Sequence, residues 1–252
     1  MNYKLLACKV LQRECSHLCA QSDNFIDITY LRQGFHNTPA RLRELLQAEI
    51  DAIDAECDTH SKEMYFDAIL LGYGLCSNGI VGLHSARHTL VVPRAHDCIT
   101  LLLGSKERYR DYFDACHGGI YWYSKGWLEN APMPSKERYD QLFKEYCEQY
   151  GEDNATYLLA EEQSWLTRYQ HCKYIEWKEL PFESAAAYTE ACADFLHWQF
   201  ERLTGSSRLL ADMLAGQWDP DRFLVVPPGE TIRPSNGPDI LSCQACPPAD
   251  PS

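Results

Sequence analysis

The sequence predicts an α/β fold: a three-layer sandwich with a mostly parallel, Rossmann-like sheet and a helical insertion. Three observations lead there. Short apolar or alternating runs recur along the chain, and most are followed by an amphipathic helical stretch. Glycine, polar and sulfur-bearing residues gather where those runs end. The chain of 252 residues is 45% hydrophobic and 23% charged, the composition of a globular protein with a sizeable core. The alternation reads as one α/β domain over residues 1–232 with a helical insertion at about 135–168, followed by a flexible Pro-rich tail over 233–252.

Taken in order, Tyr3–Val10 is the first strand, with Cys8 near its end, and Leu11–Cys19 is a short helix. Cys15 and Cys19 share one face of it at i, i+4 spacing, and packed thiols are the expected fate of such a pair. Phe25–Leu31 alternates and is rich in β-formers, so it is a strand. Thr38-Pro39 starts a helix, a hydroxyl cap before proline at the first helical position. A helical stripe of Leu42, Leu45, Leu46, Glu49, Ile50 and Ile53 carries that helix to about Glu56, which leaves His36 in a strand-to-helix loop. Phe66–Gly72 and Thr89–Pro93 are two more strands, and a helix runs from Ile99 to about Cys116 before Gly118-Gly119 breaks it. Ile120–Ser124 (IYWYS) is strongly β-prone, with a turn at Lys125-Gly126-Trp127. Its aromatic residues are expected in the core or rim, or as the wall of a pocket for a planar ligand. Helices follow over Ser135 to about Tyr150, stopped by Gly151, and over Ala155–Tyr169. Cys172–Trp177 is a strand, Ser184–Thr204 one long helix, Ser206–Leu214 a shorter one, and Phe223–Val226 the last strand.

The stretch from Phe66 to Ser105 organises the functional reading. One strand ends in Gly72-Tyr73-Gly74-Leu75-Cys76-Ser77-Asn78-Gly79, the next in Arg94-Ala95-His96-Asp97-Cys98. In a parallel sheet such ends lie side by side, and ligands bind there. The glycine spacing does not fit the dinucleotide fingerprint. Gly72, Gly74 and Gly79 imply close backbone approach or positive φ, and backbone N–H groups there, with Ser77 and Asn78, suit an anion or carboxylate. His96, Asp97 and Cys98 sit where a helix should begin, which favours thiolate; Asp97 either joins the chemistry or caps the helix. If the strand ends converge, Cys8, His36, Cys76, His96 and Cys98 form a ligand set for zinc or another transition metal. Alternatively, Cys76 and Cys98, with Asp97, serve a metal-free two-cysteine enzyme acting on a small carboxylate, in the manner of a racemase or isomerase. The third option is a non-catalytic protein that binds a small-molecule ligand. Cys243-x-x-Cys246 is a lone pair followed by Pro247-Pro248, weak both as a zinc knuckle and as a redox motif.

Charge narrows the partners. With 23 Lys plus Arg against 36 Asp plus Glu, the net charge is −13, and nucleic acid is not an expected partner. No run has the length of a membrane span, and the first residues lack the pattern of a signal peptide. A cytoplasmic location follows as an expectation, with most of the 12 cysteines as buried thiols.

The strings GYGLCSNG, PRAHDCITLLLGSKERY, IYWYSKGW and GSSRLLADMLAGQWDPDRFLVVPPGETI resemble the DUF1638 family, a domain of unknown function, from Tyr3 to about Ile232. The chain departs from the family's usual pattern at Ser77, where a smaller residue is common, and at Ser124-Lys125. The resemblance implies no established biochemistry. It associates some members with corrinoid-dependent methyl transfer, which makes a corrinoid or methyltransferase protein a candidate partner and one-carbon metabolism a candidate setting for the metal reading.

Overall fold

A computed structural model describes residues 1–60 and 66–246, with only the backbone of His36 and of residues 57–60. Strand β1 (Asn2–Cys8) passes through one 3-10 turn into α1 (Gln12–Cys19), and β2 (Phe25–Leu31) leads to α2 (Pro39–His60). Next come β3 (Ala68–Gly72), β4 (Leu90–Pro93), α3 (Cys98–Leu103), α4 (Lys106–Ala115), β5 (Ile120–Ser124), α5 (Lys125–Asn130), α6 (Lys136–Tyr150) and α7 (Glu152–Glu162). The chain continues through β6 (His171–Glu176), α8 (Glu183–Leu196), β7 (Gln199–Thr204), α9 (Arg208–Leu214), β8 (Phe223–Val226), β9 (Glu230–Pro234) and β10 (Leu241–Ala245). The protein is mixed α/β with a mostly parallel central sheet, as its alternating runs predict.

The chain forms two compact units, one from Met1–Arg108 with the segment from Ser206 onward, the other from Tyr109–Gly205. The expectation from the sequence is one domain over 1–232. The helices expected as an insertion at about 135–168 are α6, α7 and a 3-10 turn inside the second unit, which has a sheet and core of its own.

In the first unit the strand order is β2-β1-β3-β4-β8. Strands β1 to β4 pair in parallel, and β8 runs antiparallel beside β4. Every residue of β3 (AILLG) and β4 (LVVP) is buried, as strands covered on both faces require. Leu6, Ile69, Leu71, Leu90 and Val92 meet Leu42, Leu46, Ile50 and Ile53 of α2. Their neighbours Leu5, Leu70 and Val91 face the other way and are equally buried; α9 packs on β3 and β4 from that side, beside α1. The result is three layers. All four parallel strands end at one edge, and the chain reverses its direction of travel across the sheet between β1 and β3.

The second unit has the parallel order β5-β6-β7. Tyr123, Cys172 and Tyr174 pack with Ala185, Ala186, Cys192 and Ala193 of α8. Tyr121 stacks on Trp198 with ring centroids 5.5 Å apart. IYWYS is thus an edge strand of a parallel sheet.

Four local expectations change. Gly104, at φ 82°, splits the helix expected from Ile99 to Cys116 into α3 and α4; a Cβ there would lie 2.7 Å from Ser206 Cβ. Lys125-Gly126-Trp127 opens α5, because the Ser124 side chain accepts from the Trp127 N–H at 3.2 Å. The long helix expected over Ser184–Thr204 ends at Leu196 with His197 left-handed (φ 58°), and the alternating residues beyond form β7. The tail expected to be flexible from 233 instead contributes an antiparallel pair, β9 with β10, anchored by buried Ile232, Ile240 and Leu241. Its end, residues 247–252, lies outside the described residues.

Candidate functional site at the ends of β1 and β3

The loop after β3 lies along the loop after β4. The Leu75 N–H donates to Ala95 O (2.8 Å) and the Cys76 N–H to His96 O (2.9 Å). This contact requires Gly74: a Cβ there would sit 2.6 Å from Asp97 N and 2.8 Å from Ala95 O. Gly72 meets Ala7 of β1 in the same way, its added Cβ falling 2.7 Å from Ala7 Cβ. These glycines serve the packing of one strand end on the next. The positive φ values fall elsewhere, on Cys76 (46°), Ser77 (56°) and Asn78 (67°), with the turn closed by the Gly79 N–H donating to Cys76 O at 3.0 Å. Left-handed residues other than glycine cost on the order of 1–3 kcal/mol each, and such strain gathers at ligand sites. Ser77 and Asn78 are exposed, and their backbone N–H groups have no acceptor among the described residues. The Arg43 guanidinium of α2 donates to Asn78 O at 3.3 Å, so a cation stands beside the loop.

Between the ends of β1 and β3 lies Tyr73. Its side chain is 3% exposed, and its hydroxyl has no hydrogen-bond partner among the described residues. Burial raises its pKa, and the thiols of Cys8, Cys76 and Cys15 are close enough to add to that. Burial pushes the Cys76 thiol up to about 12, Asp97 and Cys8 reinforce it, and a backbone hydrogen bond from Gly74 opposes it. Cys8 is raised by burial as well. Cys15 is fully buried and raised well above its ordinary value by burial, then by Cys19, Glu14 and Cys8. The site is therefore a buried cluster of protonated thiols around a phenol, beside a turn with exposed N–H groups. Protonated thiols donate protons but attack poorly.

The other residues singled out from the sequence fall into place around it. Asp97 caps α3, its Oδ1 accepting from the N–H groups of Ile99 (3.0 Å) and Thr100 (3.2 Å). That geometry accounts for the residue without a catalytic role. His96 is exposed and Cys98 is half-buried as the first residue of α3. The side chain of His36 lies outside the described residues. The structure brings Cys8, Cys76 and Asp97 into one neighbourhood. Among the described residues no group of three or more His, Cys, Asp or Glu side chains is placed to hold a metal ion. Every cysteine with a described side chain is a free thiol.

A family model, described as a protein of unknown function (DUF1638), matches residues 30–214, well over half of the 252 residues. The chain belongs to the DUF1638 family. No curated protein and no solved structure matches it. The DUF1638 segment takes in Tyr73 to Gly79 and His96 to Cys98, whereas Cys8 and the β9–β10 pair lie outside it. Among the described residues no helix is long and apolar enough to cross a membrane.

Sequence reasoning passed over two residues of this neighbourhood. Tyr73 stands between two glycines directly after a fully apolar strand, a pattern that marks an aromatic turned into the interior at a strand end. Arg43 sits on α2 and carries no local signal; only the packing of α2 on the loop brings it there.

Proposed function

We propose that the crevice between the carboxyl ends of β1 and β3 binds a small carboxylate ligand, with Cys76 acting as a thiol. In an open parallel sheet, ligands bind where the strand order reverses, and here that point is β1/β3. The observation that carries the reading is the Tyr73 hydroxyl, buried at that point beside Cys8 and Cys76 without a partner among the described residues. A buried hydroxyl in that state is costly unless something else completes it. The N–H groups of Ser77 and Asn78, with Arg43 nearby, provide a lip suited to an oxyanion. Proton donation or hydrogen bonding by Cys76 fits the site better than nucleophilic attack, because its thiol is held protonated. For the two-cysteine enzyme, Cys98 would have to supply the base.

The test is thermal unfolding with pyruvate, L-malate and L-glutamate as probes, on wild type and Tyr73→Phe. Binding at a hundredfold excess over Kd adds about 2.7 kcal/mol of stability, a shift of several degrees. At least one probe should produce it in wild type and lose it in the variant. No shift with any probe, or an equal shift in both proteins, contradicts the proposal.

A second reading keeps a metal such as zinc at Cys8 and Cys76, with His96, Cys98 and His36 as further donors. The proximity of the Cys8, Cys15 and Cys76 thiols favours it; it needs the donors to draw together from where they stand. Elemental analysis of anaerobically purified protein decides it: about one metal per chain, lost in Cys76→Ser, supports this reading, and none rejects it. Neither reading depends on corrinoid-dependent methyl transfer.

A further inference from the structure

The second unit holds a separate cavity of about 460 Å³, within the size range of ligand sites. It opens beside α5, α6 and the start of α8, which follow the carboxyl ends of β5 and β6. Three charged side chains line it: Lys125, Glu137 and Arg138. Two are already engaged. Lys125 pairs with Glu129 at 3.2 Å. Glu137 accepts from the Tyr188 hydroxyl at 3.2 Å, and its own helix-end N–H leads the groups that hold its pKa below the usual value. Arg138 has no carboxylate partner among the described residues. The cavity therefore presents a guanidinium held by no ion pair among the described residues, in a chain whose net charge is −13. Guanidinium recognises oxyanions by paired, charge-assisted hydrogen bonds. Leu128 and Met133 give the cavity an apolar side. Arg138 also stands in the wall of a second cavity of about 170 Å³, lined by Leu142, Trp165, Leu166, Leu196 and Glu162, whose carboxylate accepts from the Tyr146 hydroxyl.

We infer that this paired cavity binds a small amphiphilic oxyanion, an aliphatic carboxylate or phosphate monoester, with its head at Arg138 and its chain against the apolar wall. The site uses other residues, in the other unit, than the proposed β1/β3 crevice.

Isothermal titration of the full chain with n-hexanoate, n-hexyl phosphate, 1-hexanol and inorganic phosphate tests it, repeated on Arg138→Gln, Leu128→Trp and Tyr73→Phe. At least one amphiphilic anion should bind saturably, and which one does identifies the head group. Hexanol lacks the charge and inorganic phosphate lacks the chain, so both should bind far more weakly. Arg138→Gln, a helix-surface change that leaves the fold intact, should weaken the anion about tenfold or more. Leu128→Trp should block binding by filling the cavity, and Tyr73→Phe should leave it unchanged. The proposal is overturned if neither anion saturates up to about 10 mM, if Arg138→Gln binds as tightly as wild type, or if hexanol matches the anions. Loss of binding in Tyr73→Phe alone would assign the anion to the other crevice and overturn it too.

Discussion

Tyr73 and Cys76 carry the functional reading, and each makes a residue-scale prediction. Removing a buried hydroxyl that lacks a partner among the described residues should not cost stability; Tyr73→Phe is expected to be neutral or to stabilise the ligand-free protein by up to about 1–3 kcal/mol, as read by chemical denaturation. A clear loss of stability would mean that the hydroxyl already has a partner. For Cys76, a pKa of about 12 means that iodoacetamide should label it slowly at neutral pH, with the rate rising as the pH is raised. Fast labelling at pH 7 would return the nucleophilic-thiol reading to favour. The sequence made the position of this site legible, because glycine and cysteine gather where strands end. It did not reveal the chemistry. A helix start after β4 suggests an activated thiolate, but α3 is only six residues long and its Asp97 side chain takes the first free N–H groups. Burial then outweighs any attraction of the thiolate form at Cys76.

At the scale of elements, two loops are held by contacts that substitution can test. Gly74 lets the β3 loop touch the β4 loop, so Gly74→Ala must push backbone away and should cost about 1–3 kcal/mol while weakening ligand binding. Asp97→Ala should cost about 1 kcal/mol and Asp97→Ser should restore it, because a cap needs an oxygen and not a charge. The loop before β4 hangs on buried Asp54 of α2, whose carboxylate accepts from Ser85 Oγ (2.8 Å), the Ala86 N–H (2.8 Å) and His88 Nδ1 (2.6 Å). These are the residue types of a hydrolytic triad, but the Ser85 hydroxyl donates to Asp54 and accepts from the backbone of His88, so no nucleophile is prepared. Asp54→Ala should lower stability by roughly 3–5 kcal/mol. The core strands were legible from their apolar runs. β7 was not, because Gln199–Thr204 continues the amphipathic look of α8, and the break at His197 uses a left-handed residue that is not glycine. β9 and β10 were hidden by the proline and glycine around them, although Ile232 and Leu241 are buried.

For the whole molecule, alternation of strand and helix gave the fold class but not the division into two units. A second parallel sheet reads locally like a continuation of the first; only strand pairing separates them. The abundance of buried thiols has a global consequence. Burial pushes Cys76 and Cys172 up to about 12 and Cys19 and Cys192 up to about 11, from an ordinary value of 9.0. Below pH 9.0 these thiols are protonated in both folded and unfolded chains, so they add no pH dependence. Between that value and the folded pKa, the folded chain keeps protons that the unfolded chain has lost, and stability falls as pH rises. A fully buried thiol such as Cys172 contributes a decline of about 1.4 kcal/mol per pH unit in that window. Denaturation series at rising pH under reducing conditions should show the decline, and Cys172→Ala should make it shallower.

The most direct test of the β1/β3 site is a thiol footprint. The full chain is labelled with iodoacetamide at alkaline pH, with and without a stabilising carboxylate probe, and each cysteine is followed by mass spectrometry. The account predicts that the probe slows labelling of Cys76 and Cys8 and leaves Cys116 and Cys147 unchanged. Unaltered rates at Cys76 and Cys8, with protection elsewhere, would place the ligand at another site and contradict it.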